Sequence, residues 1–100
     1  MAYSMYRDRD GRGDSGTMSL ALVPTYEDGK IVDVEYINDA RPQVGYVMRV
    51  GSIYARSYSA QDWWQTTVIT EILEDTIDED GREYVKFRTG NSIYEWRKDV

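Results

Sequence analysis

Four glycine-containing pairs punctuate the chain between β-forming segments: Asp28-Gly29, Gly51-Ser52, Asp80-Gly81 and Gly90-Asn91. Pairs of this kind tolerate the backbone angles of tight hairpin turns, so each can join two antiparallel strands without a crossover. The segments between them are 19–26, 30–37, 44–50, 53–58, 66–74, 83–89 and 92–97, and they are rich in β-branched and aromatic residues. Residues 30–37 alternate, with Val32, Val34 and Tyr36 on one face and Asp33 and Glu35 on the other. No segment carries a sustained 3.6-residue period. The expected fold is therefore all-β and mainly antiparallel. It would be a small β-meander rolled into an SH3-like barrel, or a curved sheet, that buries one face and limits free edges.

Local signals refine this expectation. Pro24 argues for an edge position or a bulge. Residues 66–75 include Glu71, Ile72 and Leu73, which suit a helix, but the run Thr66-Thr67-Val68-Ile69-Thr70 favours a strand. Ser59-Ala60-Gln61-Asp62 has capping-box spacing, so residues 61–65 are expected to form at most one helical turn. In the last hairpin, Asn91 can adopt a left-handed conformation and Ser92 can return a side-chain hydrogen bond to the turn. Residues 1–17 mix Gly11, Gly13 and Gly16 with charges and have no period, so they read as a flexible arm ahead of one β-rich domain at 18–100. Gly51-Ser52-Ile53-Tyr54 is echoed by Asn91-Ser92-Ile93-Tyr94, as though one turn-plus-Tyr device served twice.

The chain contains neither histidine nor cysteine. That removes disulfides, thiolate chemistry, cysteine zinc sites and the commonest general base. No nucleophile–base pair is legible, and nothing selects two carboxylates as an acid/base couple, so a non-enzymatic protein without a cofactor or metal is expected. The missing cysteines, together with the lack of an apolar run of about 18 residues or a signal-peptide pattern, point to the cytosol and away from a membrane.

Charge is unevenly spread. The net value is −6, yet residues 61–80 hold seven acids and no base, while residues 44–60 hold Arg49 and Arg56 and no acid. Phosphate neutralisation needs clustered Lys and Arg, so direct nucleic-acid binding is not expected. A basic protein partner is.

Three constellations follow. Trp63 and Trp64 are adjacent and would point to opposite faces of a strand, as a binding anchor or as lids over a barrel end. Glu71, Asp75, Asp78, Glu79 and Asp80 line one hairpin, where carboxylates can mimic phosphates or simply solvate the edge. The calcium-loop order fails there, because Phe87 stands where the terminal bidentate Glu belongs. Arg49, Tyr54, Arg56, Arg88 and Tyr94 form a candidate face for an anionic planar ligand such as a nucleotide, unless these groups stack on one another. Such a ligand pocket would call for a homo-oligomer. The string Arg12-Gly13-Asp14 spells an adhesion motif with no secretion signal beside it, and it is read as coincidental.

The order Trp64-x-Thr66-Thr67-Val68, Glu71-Ile72, then Phe87-x-Thr89-x-Asn91-Ser92-x-Tyr94-x-Trp96 resembles small β-rich proteins encoded by bacteriophages and prophages. The likeness covers roughly residues 49–97. It implies a compact β-fold and a viral accessory context, and it brings no catalytic residue with it. The function expected on these grounds is that of a phage accessory protein. It would bind and block a host protein, a defence or nucleic-acid-handling factor, through an acidic, aromatic-rich surface. Sequestration of a nucleotide signal and a virion component are the alternatives.

Overall fold

A computed structural model of the protein describes residues 2–38, 41–52 and 63–99, giving the backbone alone for 24–26 and 31–38. It is all-β, and every strand pairing is antiparallel. The strands are β1 (Ala2–Arg7), β2 (Gly13–Gly16), β3 (Met18–Glu27), β4 (Lys30–Asn38), β5 (Val47–Gly51), β6 (Trp63–Gln65), β7 (Ile69–Ile77), β8 (Glu83–Thr89) and β9 (Ile93–Asp99). They form a five-stranded sheet in the order β2-β1-β9-β8-β7 and a four-stranded sheet in the order β4-β3-β5-β6. Among the described residues the sheets do not close into a barrel, which leaves the curved-sheet form of the expectation standing.

The arm expected at 1–17 is instead a hairpin woven into the larger sheet. β1 pairs with both β2 and β9, burying Tyr3 and Met5. The reason is alternation: Tyr3 and Met5 share one face, where burying an aromatic and a thioether outweighs the poor strand propensity of Gly13-Asp14-Ser15-Gly16. Gly11, at φ 69°, makes the turn between them. No helical turn forms over the described part of 61–65, since Trp63–Gln65 is strand β6; residues 61 and 62 lie outside the described residues. The ambiguous stretch 66–75 is not helical: residues 66–68 form the corner before β7, and from Ile69 onward it is strand, as its β-branched residues favour.

Turn chemistry follows local residues. Asp28 and Gly29 have φ of 52° and 78°, the paired positive values of a type I′ turn. Asn91 does not adopt a left-handed conformation; the last hairpin closes through Thr89, whose N–H and Oγ1–H both donate to the Ser92 carbonyl, at 2.8 and 3.3 Å. Pro24 sits beyond Leu22, the last residue of β3 paired to β5, where no donor is needed on that side. The turn expected at Gly51-Ser52 leads into residues outside the described ones.

The core lies between the sheets. Tyr3, Met5, Val85, Phe87, Tyr94 and Trp96 face inward from the larger sheet, against Ala21, Met48 and Val50 of the smaller. Phe87 and Tyr94 stack at 5.6 Å, and Tyr3 meets Trp96 at 6.0 Å. The chain passes from one sheet to the other at residues 66–68, a corner of the kind that strands make by bending. Thr66 holds it: its N–H donates to the Met48 carbonyl at 2.9 Å, and its hydroxyl accepts from the Met48 N–H at 3.1 Å. At the far end Arg41 lies over the inner face, paired with Asp75 and with Glu83, which also meets Lys98 at 3.6 Å.

Candidate functional site

The acidic hairpin stands out from the body. In β7 every residue from Glu74 to Ile77 is exposed, and so is the tip from Asp78 to Arg82, so the outer half of β7 and the hairpin tip form an exposed ribbon along β8, which itself stays paired with β9 as far as Glu83. Among the described residues β7 is also the edge strand of its sheet. The five carboxylates singled out in the sequence play different parts. Asp78 shapes the tip, accepting from the N–H groups of Asp80 and Arg82, each at 2.9 Å. Asp75 is tied to Arg41. Glu71 faces Arg88 across the strands at 3.1 Å, a solvent-screened pair. Glu79 and Asp80, together with Glu74, make no ion pair among the described residues. Among these acids Ile77 is 61% exposed. Among the described residues, no three carboxylates gather as a metal-binding group.

The tryptophans divide as alternation requires. Trp64 turns toward the core, half-buried, and its Nε1–H donates to Tyr94 Oη at 3.3 Å. Trp63 turns outward and lies under the Arg49 guanidinium at 4.0 Å. Arg49 is fixed there by Gln65, whose Oε1 accepts from Nε at 3.1 Å and Nη2 at 2.6 Å. Both indoles are thus engaged within the chain.

The arginine–aromatic face does not assemble as one surface from its described members. Arg49 is on the outer side of the smaller sheet, Arg88 on the outer side of the larger, and Tyr94 is buried between them at 5% exposure. Tyr54 and Arg56 lie outside the described residues.

A different basic cluster forms where the sequence suggested only an arm. Arg7 and Arg12, from the two sides of the β1–β2 turn, place their guanidinium carbons 5.2 and 5.5 Å from the Trp64 ring centre. Asp10 pairs with Arg7 at 2.6 Å, and this partner draws its carboxyl down to about 2. The cluster borders a cleft of about 240 Å³ against the β8–β9 turn, lined by Arg7, Arg9, Trp64, Thr67, Asn91 and Tyr94 among others. Asp10-Gly11 was the legible signal: a fifth turn pair, preceded by the inward alternation of Tyr3 and Met5.

The outer face of the larger sheet is a charged ladder, with Tyr6, Glu95, Lys86 and Glu74 in one row across four strands. Beside it, Tyr84 Oη donates to Glu95 at 2.6 Å. Burial and that carboxylate push the Tyr84 phenol up to about 12, while the phenol's hydrogen bond holds Glu95 below the usual carboxylate range.

Among the described residues no helix is long and apolar enough to cross a membrane. No protein-family model, curated protein or solved structure matches the chain.

Proposed function

We propose that the protein is a non-enzymatic phage accessory protein that binds and blocks a host protein, with the β7–β8 ribbon as its contact surface. The observation that carries this reading is the exposed Ile77 set among Glu74, Glu79 and Asp80 on a protruding sheet edge. An apolar side chain ringed by carboxylates without ion-pair partners among the described residues fits a basic surface with an apolar hollow. A nucleic-acid-handling or defence factor carries such a surface where it meets phosphates. The resemblance to phage-encoded proteins supports a host-directed role in the host cytosol. Of the aromatic part of the expected surface, Trp63 and Trp64 serve the fold first.

The test is capture from host lysate by the full chain, compared with a variant carrying Glu74→Gln, Glu79→Gln and Asp80→Asn, and with Ile77→Thr. These changes spare Asp75 and Asp78, which hold structure. One dominant partner should be retained by the native chain and bound about tenfold more weakly by the charge variant, most visibly at low salt. Equal capture by all three proteins would remove the ribbon from the interface.

A further inference from the structure

The cleft against the β8–β9 turn lies at the opposite end of β8 from the ribbon tip, about 20 Å away along the strand. Its nine lining residues include two guanidiniums and no carboxylate, in a chain whose net charge is −6. It adjoins clefts of about 530 and 420 Å³ that share Asn91 with it, and the larger also shares Arg9 and adds Arg88.

What distinguishes the arginines is how their donors are used. Arg7 gives Nε and Nη2 to Asp10, and Arg88 gives Nη1 to Glu71. Arg9 makes no ion pair or side-chain hydrogen bond among the described residues. Arg12 is held by the ring of Trp64 rather than by an acid, an arrangement that orients a guanidinium while leaving its edge donors open. Arg7, Arg9 and Arg12 lie on one turn, Arg7 and Arg12 over the Trp64 ring, and Asp10 pairs directly with Arg7 while meeting Arg9 only through the longer-range attraction of its charge. Two positive charges beside a concave, partly aromatic wall are left for a ligand to neutralise.

We propose that this cleft binds the phosphate group of a small phosphorylated ligand. Arg9 is its principal partner, the Asn91 amide and Thr67 hydroxyl supply further donors, and Arg12 contributes positive potential. A phosphate monoester carries up to two negative charges, matching the two guanidiniums of Arg9 and Arg12 that make no ion pair among the described residues, and its three terminal oxygens suit a fork with neutral donors around it. The adjoining 530 Å³ cleft, lined by Ile93, Gly90 and also Asp8, whose carboxylate meets Lys86 at 3.8 Å, has room for the rest of such a molecule. This site is independent of the ribbon and stands or falls apart from it.

The experiment is a titration of the full chain, followed by backbone amide NMR shifts at constant ionic strength. The probes are inorganic phosphate, ribose 5-phosphate, adenosine 5′-monophosphate and unphosphorylated adenosine. Phosphate-bearing probes should shift amides of residues 8–12 and 89–92 saturably, and adenosine should not. Arg9→Ala should weaken binding by about tenfold and Arg12→Ala several-fold, while Lys30→Ala, which removes the same charge elsewhere, should leave it unchanged. Equal affinity for inorganic phosphate and the esters would assign all recognition to the phosphate group. Tighter binding of the esters would extend the site into the larger cleft. Absence of saturable shifts with every phosphate probe, or equal weakening by Arg9→Ala and Lys30→Ala, would overturn the proposal.

Discussion

The Trp96 indole N–H donates to the Ser19 hydroxyl at 3.0 Å, joining the two sheets through side chains that are both fully buried. A buried indole donor left without an acceptor suffers the full loss of its hydration. Ser19→Ala is therefore expected to destabilise the protein by about 1–3 kcal/mol, more than the lost volume alone would cause. Urea unfolding checks this; a loss of only a few tenths would show that Trp96 finds another acceptor.

Thr66 makes the corner between the sheets with its side chain as well as its backbone. Thr66→Val keeps the volume but leaves the Met48 N–H facing a methyl group, and should lower stability by about 1–3 kcal/mol. Thr66→Ser keeps the hydroxyl and should cost less than the valine change. If the two variants rank the other way, packing rather than the hydrogen bond holds the corner.

Glycine is required for space at one place and not at another. A Cβ at Gly16 would lie 2.2 Å from the Gly51 carbonyl oxygen, a backbone atom that cannot swing away, whereas a Cβ at Gly90 meets nothing within 4 Å. Gly16→Ala should therefore cost about 1–3 kcal/mol, and Gly90→Ala should stay within about 0.5 kcal/mol of the native chain. Thermal unfolding of the pair separates the two cases.

Much of the architecture was legible because its signals are local. Asp28-Gly29 and the alternating strand after it announce a hairpin, and both turn residues indeed adopt positive φ. The β1–β2 hairpin was hidden because β2 is Gly-Asp-Ser-Gly, a segment with almost no strand propensity that pairs only because Tyr3 and Met5 anchor its neighbour. The site expectation suffered from the same gap. Without that hairpin, Arg7, Arg9 and Arg12 belong to an arm, and the meeting of Arg7 and Arg12 with Trp64, more than fifty residues away, is a tertiary fact. The acidic stretch was plain in the sequence. Its division into a turn-former at Asp78, an ion pair at Asp75 and acids at Glu79 and Asp80 that pair with nothing among the described residues depends on the backbone of the tip and on where Arg41 lands.

The Tyr84–Glu95 hydrogen bond gives stability a dependence on alkaline pH. The folded phenol ionises near 12 and an ordinary one near 10, so the folded state keeps a proton that the unfolded state has lost. This contribution is whole below about pH 10 and declines as pH rises toward 12. Tyr84→Phe should flatten the decline in that window, seen by urea midpoints at several alkaline pH values. Identical profiles for the two proteins would mean that the phenol titrates alike folded and unfolded.

The Arg7–Asp10 pair acts at the other end of the scale. Its carboxyl, lowered to about 2 chiefly by the Arg7 hydrogen bond, also accepts from the Arg12 N–H at 3.2 Å. A depressed pKa contributes fully above the ordinary carboxylate value and is lost as pH falls through the folded one, here from about 4 toward 2. Because the pair is exposed, the effect should be local: the β1–β2 turn loosens while the core between the sheets holds. Amide exchange at Arg12 and Gly11 should accelerate across that window relative to Val85 and Phe87. Asp10→Asn, which retains an acceptor but no charge, should make the exchange at these two positions nearly independent of protonation there. If Arg12 protection instead tracks the core at every pH, the turn is held by β1 and β9 alone, and the pairing of Arg7 with Asp10 does nothing to present Arg9 and Arg12 to the cleft.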